Sequence, residues 1–238
     1  ILLSSASLAG TIDPSVSDQK YLDYAEGFGC VVRIEGVCDC GKDHEYHASA
    51  VAISPNWVLT AAHVVADVKD PVIKIGDKSF KVSKVVVHKD FKEGNVGYAD
   101  IALCRCDGDF GLDFYPELYE SNDELLKVVS MSGYGMSGTF STGVVKSDKK
   151  RRAGSNKVSR LERDVLVCVL TDQKTSLEFL IASGDSGGGL FIGKRLAGIN
   201  SFVMAADGKT DSDYGDECAH TRVSKFVPWI RQSMESNK

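Results

Sequence analysis

The amino-acid sequence predicts an all-β fold that closes as an antiparallel barrel. Short runs of valine and isoleucine, partly alternating with polar residues, show the two-residue period of strands. Glycine, aspartate, asparagine and proline separate these runs, and the 23 glycines suit a chain with many tight turns. Strand and helix patterns do not alternate along the chain, so a parallel α/β architecture is disfavoured.

Five segments of the first half have strand character: residues 29–34, 48–53, 72–75, 80–87 and 100–106. In the last segment Ala102, Cys104 and Cys106 lie on one face, because alternate residues of a strand point the same way. Cysteine in such a position behaves as a small apolar residue. We therefore expect Cys104 and Cys106 to be buried thiols.

The second half follows a linker at residues 111–122, where Pro116 and several acidic residues interrupt the apolar pattern. Strand character then returns, again with turn-forming residues between the apolar runs. The predicted strands of this half are residues 128–132, 164–170, 190–192 and 196–203.

The C-terminal segment has a different period. Phe226, Val227 and Ile230 recur at three- and four-residue spacing, which places them on one face of a helix. Serine is a favoured helix N-cap. The pattern predicts one amphipathic helix over residues 224–234, capped by Ser224.

Length and composition exclude several classes of protein. The chain has 238 residues, 43% of them apolar, which is enough to bury a sizeable core. Its net charge of −5 argues against a nucleic-acid partner, because phosphate binding needs a clustered basic face. No run approaches the roughly 18 apolar residues of a membrane span, so we expect no membrane partner. Nothing in the sequence predicts a cofactor, and the oligomeric state stays open.

A reactive serine is predicted at Ser186, in the segment Gly-Asp-Ser-Gly-Gly at residues 184–188. Glycines allow a tight turn on which the backbone comes close to a substrate. A serine nucleophile needs a base to take its proton, a group that holds the base, and N–H donors for the oxyanion that forms when it attacks a carbonyl. The amides of Gly184 and Ser186 are the candidate donors.

Candidates for the base and the group that holds it are His63, in Thr-Ala-Ala-His, and Asp100, in Asp-Ile-Ala-Leu. Together with the Ser186 segment, in this chain order, they make residues 29–230 resemble the chymotrypsin/trypsin-like serine proteases. Unrelated folds that build the same triad use other orders of the three residues. Three motifs in the family order are a far more specific signal than any one of them.

The resemblance implies two antiparallel six-stranded β-barrels with a C-terminal helix, together one peptidase unit. Residues 1–118 would supply an N-terminal extension and the first barrel, with His63 and Asp100. Residues 119–238 would supply the second barrel, with Ser186, and the helix. The resemblance also implies a serine endopeptidase that acts on protein or peptide substrates.

In the mechanism that the resemblance implies, Ser186 forms an acyl-enzyme. His63 is first the general base and then the general acid, and Asp100 fixes the tautomer of its ring. The Gly184 and Ser186 amides form the oxyanion hole. Ser201 matches a family serine beside the catalytic aspartate, in a segment that pairs with an extended peptide.

The specificity pocket departs from the trypsin pattern. Leu180 stands where trypsins carry the aspartate that binds lysine or arginine, and Val203 stands at a wall position that is glycine in trypsin-like and chymotrypsin-like enzymes. A branched side chain there narrows the pocket, as in elastases, so we expect a small aliphatic residue before the scissile bond. The resemblance places eight residues at the substrate: Leu180, Ile181, Ser183, Ser201, Phe202, Val203, Cys218 and His220.

Three alternatives stay open. His220 could donate a hydrogen bond to an acidic or amide side chain of the substrate. A carboxylate from the acidic stretch of residues 207–217 could fold into the pocket and favour basic substrates. The bulk of Leu180 and Val203 also suits a pseudoprotease or a zymogen-like binding module with a blocked pocket.

The N-terminus has two competing interpretations. In the family a newly cut apolar N-terminus pairs its ammonium with the aspartate before the nucleophile. This chain would pair Ile1 with Asp185, although no Ile-Val-Gly-Gly sequence is present before the first strand. The same stretch, with small residues up to Ala9, is similar to the end of a secretory signal. The family and the signal-like stretch favour a secreted or periplasmic protein.

The cysteines favour a different compartment. Val64 and Ala182 stand where extracellular family members have half-cystines, and seven cysteines is an odd number. That pattern is typical of a reducing compartment or of a bacterial-type enzyme without disulfides. An intracellular location is therefore the alternative.

Two polar segments are predicted to be a polar hairpin between two strands, at residues 38–47, and a solvated loop, at residues 149–152. Cys38, Cys40, His44 and His47 are residue types that bind zinc, but their spacing is not one of the established patterns, so we predict no metal. Residues 149–152, Lys-Lys-Arg-Arg, form a basic loop that resembles the exposed autolysis region of the family.

Overall fold

Strands dominate the structure, a computed structural model that describes residues 10–38, 45–92, 98–205 and 207–237. The helices are α1, Asp18–Ala25, and α2, Val227–Ser236. In chain order the strands are β1 Gly10–Ile12, β2 Val31–Cys38, β3 Glu45–Ser54, β4 Trp57–Thr60, β5 Val68–Ile75, β6 Lys78–Val87, β7 Ala102–Cys106, β8 Val128–Gly133, β9 Ser137–Thr139, β10 Gly143–Lys146, β11 Arg152–Glu162, β12 Val165–Val169, β13 Phe179–Leu180, β14 Gly189–Ile192, β15 Arg195–Met204 and β16 Glu217–Arg222.

Two closed six-stranded antiparallel barrels make up the body of the molecule, as predicted. The first barrel closes in the order β2, β3, β4, β7, β6, β5, and the second in the order β11, β12, β16, β15, β14, β8. Apolar residues of alternate strand positions fill each barrel. Cys104 and Cys106 are buried free thiols of the first barrel, which confirms that prediction.

A third, small sheet lies beside the second barrel and was not predicted from the sequence. Its strand order is β10, β9, β1, β13. The N-terminal strand β1 runs parallel to β9 and antiparallel to β13, with Thr11 opposite Leu180. Three residues are too few to show a strand period, so the sequence carried no signal for β1.

Helix α1 packs on β11, and the basic segment of residues 149–152 lies partly buried beside it. The basic segment was expected to be solvated, but Arg152, its last residue, is fully buried. The guanidinium donates to both oxygens of Asp18 at 2.6 and 2.8 Å and to Asp148 at 3.1 Å. The neighbouring Arg151 donates to the backbone oxygen of Val31 at 3.1 Å. These two arginines therefore tie the segment to the body of the protein.

Helix α2 packs against the first barrel. Phe226, Val227 and Ile230 are buried in that barrel's core cluster, as the spacing predicted. The helix begins at Val227, and the predicted Ser224 cap is wrong. The Ser224 hydroxyl instead donates to the buried carboxylate of Glu124 at 2.8 Å. None of the helices in the described ranges is long and apolar enough to cross a membrane.

We predict that the buried guanidinium depends on its two carboxylates for stability. The double substitution Asp18→Asn and Asp148→Asn leaves the Arg152 charge buried without a compensating charge. We expect the free energy of unfolding to fall by about 3 kcal/mol, since breaking a buried ion pair is costly. Urea denaturation monitored by circular dichroism measures the loss.

The exposed pair between Glu120 and Arg231 is the matched control. Its shortest contact is 2.6 Å, but its side chains are 54% and 60% exposed. We expect Glu120→Gln to cost less than about 1 kcal/mol. Equal losses for the two pairs would contradict the role given to Arg152.

Candidate active site

The imidazole of His63 is held at the rim of the first barrel. Strand β4 ends at Thr60, and the chain then turns through a short 3-10 segment, Ala62–Val64. Nδ1 of His63 lies 2.8 Å from Oδ2 of Asp100, and the backbone N–H of His63 donates to Oδ1 at 2.9 Å. Because a carboxylate only accepts, Nδ1 carries the proton and Nε2 keeps a lone pair, as a general base requires.

Asp100 is buried between the two barrels. Ser201 on β15 donates to Oδ2 at 2.5 Å, and Thr221 on β16 donates to the backbone oxygen at 2.8 Å. Burial alone would raise the pKa of Asp100, but the hydrogen bonds from His63 and Ser201 outweigh it and lower the pKa. The carboxylate therefore stays ionised and holds the ring of His63.

Ser186 stands on a turn that only glycine can complete. Gly184 and Gly187 have φ angles of +91° and +80°, a region that favours glycine. A Cβ added at Gly187 would lie 2.0 Å from Oγ1 of Thr60. The turn is thus packed directly against the strand that leads to His63.

Two amides of this turn are free for a ligand. The N–H groups of Asp185, Gly187 and Gly188 each donate to a backbone oxygen. In the described part of the chain the N–H groups of Gly184 and Ser186 make no hydrogen bond. They are the two amides that the sequence singled out as oxyanion donors.

Ser49, on β3 of the first barrel, holds the turn in place and was missed by sequence reasoning. Its N–H donates to the backbone oxygen of Ser186 at 2.9 Å, and its hydroxyl donates to that of Gly184 at 2.9 Å. The hydroxyl also accepts from the N–H of Tyr134 at 2.9 Å. A single serine in the middle of a strand has no distinguishing pattern, so the sequence carried no signal for it.

The serine and the histidine are both accessible. The side chain of His63 is 37% exposed, and Ser186 is half-buried. The hydrogen bonds among the described residues do not join Ser186 Oγ to the ring of His63. Catalytic hydrogen bonds often form or tighten only when substrate is bound, so the absence of this bond without substrate is compatible with base catalysis by His63.

Asp185 is fully buried next to the nucleophile. Its two carboxylate oxygens accept from the N–H groups of Gly135 at 2.8 Å and Ala182 at 2.9 Å. Burial raises the pKa of Asp185 to about 7, and the two backbone donors offset only part of that effect. Ile1 lies outside the described residues, so the pairing of its ammonium with Asp185 stays a prediction.

The candidate pocket residues divide between two apolar clusters. Leu180, Ile181 and Cys218 are buried in the cluster of the second barrel, and Val203 packs against that cluster. Phe202 packs against a different cluster, around strands β12 and β16. The structure therefore brings four of the predicted pocket residues together.

The polar candidates lie in different surroundings. Ser183 is exposed next to the glycine turn, and the hydroxyl of Ser201 donates its hydrogen bond to the carboxylate of Asp100. The ring of His220 is fully buried, with Nδ1 2.9 Å from Oδ1 of Asn200. This contact favours a wall position for His220 over a direct hydrogen bond to substrate.

The acidic stretch of residues 207–217 contacts the candidate pocket residue Ile181. Ser212 is buried and donates from its hydroxyl to the backbone oxygen of Ile181 at 2.7 Å. Its N–H donates to the carboxylate of Asp216 at 2.9 Å, and Glu217 is paired with Arg160. Sequence reasoning named the acidic residues of this loop and missed Ser212, whose contact anchors it.

The remaining cysteine and histidine candidates are only partly described. Cys40 and His44 lie outside the described residues, and the ring of His47 lies 3.3 Å from the hydroxyl of Ser147. The cysteines whose side chains the structure describes are all free thiols: Cys30, Cys104, Cys106, Cys168 and Cys218.

Two curated proteins are similar to this chain over most of its length. Brachyurin of Leptuca pugilator is 26% identical over 206 residues, which cover 79% of this chain and 88% of that protein. Chymotrypsin-like elastase family member 1 of Macaca fascicularis is 28% identical over 222 residues, covering 81% and 80%.

Solved structures share the architecture. HL collagenase superposes with a TM-score of 0.71 at 18% identity, covering 98% of this chain and 99% of that one. Neuropsin from mouse brain gives a TM-score of 0.65 at 18% identity, covering 84% and 93%. The family model described as Trypsin matches residues 31–230. Since this match spans most of the chain, the protein belongs to the trypsin family of chymotrypsin-like serine proteases.

Proposed function

We propose that this protein is a serine endopeptidase that cleaves peptide bonds through an acyl-enzyme on Ser186. The family and its relatives support a serine protease that acts on proteins or peptides. The residue-level proposal depends above all on the two-point contact of Asp100 with His63. That contact prepares the free ring nitrogen to take a proton from serine.

Each step of the proposed reaction gives a role to one of the candidate residues. Nε2 of His63 takes the hydroxyl proton of Ser186 as the oxygen attacks the substrate carbonyl. The free amides of Gly184 and Ser186 stabilise the oxyanion, and one such donor is worth roughly 3 to 4 kcal/mol in a well-studied protease. His63 then protonates the leaving amine, and water hydrolyses the acyl-enzyme by the same route.

A small aliphatic residue before the scissile bond is the proposed preference. Leu180 and Cys218 are fully buried, so the apolar base of the pocket is closed. Val203 pairs with Cys218 across strands β15 and β16 and narrows the wall. A buried cation would find no carboxylate at Leu180, so basic residues are disfavoured.

A binding module with a blocked pocket is the second candidate. The burial of Leu180 and Cys218 favours it, because a pocket closed at its base admits only a short side chain. The accessible His63 and the unbonded amides of the glycine turn favour the protease.

We predict that a fluorophosphonate probe labels the folded protein at Ser186, since the reaction needs an activated serine. Labelling and cleavage of a mixed peptide library should both be lost in Ser186→Ala, with kcat/KM falling by about 10⁴-fold or more. Mass spectrometry reads both results. Ser176→Ala, which removes an exposed serine outside the turn, should leave them unchanged. A folded wild-type protein that takes no label would favour the binding module.

The preference for small residues should depend on Val203. We expect Val203→Ala to raise the ratio of kcat/KM for leucine over alanine before the scissile bond by about tenfold, since it removes two methyl groups from the wall. The control is Val169→Ala, a half-buried valine that packs on the other cluster. Cleavage after lysine or arginine by the wild type would show that the assignment of the pocket is wrong.

Asp185 should make stability depend on pH. Its pKa of about 7 lies above that of an unfolded aspartate, about 3.9, so the folded state binds the proton more tightly. This contribution is fully present below about pH 4 and is lost as the pH rises to about 7. We expect Asp185→Asn to remove a slope of up to about 1.4 kcal/mol per pH unit in this window. Urea unfolding at several pH values measures it.

Asp13→Asn is the control for that series. A hydrogen bond with Lys174 holds the pKa of Asp13 at about 2, below that of an unfolded aspartate, about 3.9. Its contribution to stability is therefore constant above about pH 5 and lost only as the pH falls towards 2, so Asp13→Asn should leave the slope between about pH 5 and 7 unchanged. An unchanged slope in Asp185→Asn would mean that Asp185 is ionised throughout. That result would favour the pairing with an N-terminal ammonium.

A further inference from the structure

A cluster of two thiols and one imidazole lies inside the second barrel, apart from the proposed triad. Cys168 on β12 and Cys218 on β16 face each other directly across the antiparallel pair. His220 follows two residues later on the same face of β16. The two sulfurs and one ring nitrogen of His220 lie within 4.8 Å of one another, and all three residues are buried.

The tautomer of His220 is set by its neighbour Asn200. The amide nitrogen of Asn200 donates to the backbone oxygens of Ser132 at 3.2 Å and Asp185 at 3.1 Å. This fixes Oδ1 of Asn200 as the atom that faces Nδ1 of His220, at 2.9 Å. Since Oδ1 can only accept, Nδ1 carries the proton and Nε2 carries a lone pair.

Nε2 of His220 is a buried nitrogen without a hydrogen-bond partner among the described residues. Leaving a buried polar atom unpaired is costly, so such an atom calls for an explanation. Histidines that bind metals typically donate one ring N–H to a carbonyl or carboxylate and offer the other nitrogen to the ion. His220 and Asn200 have this arrangement.

The two thiols can supply the negative charge that a cation needs. Cys168 and Cys218 are buried free thiols, and Sγ of Cys218 donates to the backbone oxygen of Cys168 at 3.6 Å. The thiolate is the form of cysteine that binds metal, so an ion bound by both sulfurs would release the two thiol protons to solvent.

We propose that Cys168, Cys218 and His220 form a binding site for a thiophilic d¹⁰ cation, Zn²⁺ or Cu⁺. Thiolate and imidazole ligands suit both ions. Sδ of Met131 lies 4.0 Å from Sγ of Cys218, and a thioether is a ligand for Cu⁺ in particular. The site lies behind the proposed pocket, but its existence does not depend on protease activity.

The test uses the full chain with Ser186→Ala, which prevents self-cleavage. The protein is reduced, stripped of metal with a chelator and titrated separately with Zn²⁺ and with Cu⁺. Native mass spectrometry should show one tightly bound ion. We expect Cys168→Ser and Cys218→Ser each to weaken binding by about 100-fold or more, beyond the 10- to 100-fold effect of losing an outer partner.

Two control variants separate this site from the other cysteines. Cys104→Ala with Cys106→Ala removes two buried thiols of the first barrel and should leave binding unchanged. Cys38→Ser with Cys40→Ser should also leave it unchanged. Met131→Leu should weaken Cu⁺ binding and leave Zn²⁺ binding intact, which distinguishes the two ions.

A spectroscopic measurement needs no cysteine variant. X-ray absorption of the Zn²⁺-loaded protein should show two sulfur ligands at about 2.3 Å together with nitrogen. Coordination by nitrogen and oxygen alone would overturn the proposal. So would a folded, reduced protein that binds neither ion, binding that is lost only with Cys38 and Cys40, or peptide mapping that finds Cys168 and Cys218 joined by a disulfide in the titrated sample.

Discussion

The buried carboxylate of Asp100 joins the two halves of the site. It belongs to the first barrel, yet donors reach it from both barrels: His63 from one side and Ser201 from the other. Thr221 of the second barrel also donates to the backbone oxygen of Asp100. A carboxylate that loses water must recover its hydrogen bonds within the protein. The relative position of the barrels is therefore coupled to the orientation of the histidine.

The candidate nucleophile of the second barrel is held in turn by a residue of the first barrel. Ser186 belongs to the second barrel, but Ser49 of the first barrel holds the backbone on both sides of it. Because the hydroxyl of Ser49 is bonded to the carbonyl of Gly184, that peptide cannot rotate freely. Each barrel thus positions the reactive group of the other, and a rigid shared cleft follows from hydrogen bonds as well as from packing.

Structural features that leave a periodic pattern or a motif in the sequence could be predicted from it. The strands, the apolar face of α2 and the buried thiols Cys104 and Cys106 follow from alternation and spacing. The division into two six-stranded barrels follows from the family resemblance that the motifs carry. The motifs also named the residues of the candidate triad. Contacts between distant segments carry no such signal. The contacts of Ser49 and the burial of Arg152 depend on residues that are distant in the sequence. Local propensity predicted a helix cap at Ser224, but the hydroxyl of Ser224 bonds to Glu124, which is also distant in the sequence.

The small sheet has a consequence for solubility. Strand β1 occupies the space between β9 and β13 and pairs with both, so neither of those strands presents a free edge on that side. Unpaired strand edges are templates for association with other chains. Three N-terminal residues, Gly10 to Ile12, therefore shield two edges beside the pocket and keep them from recruiting a second molecule.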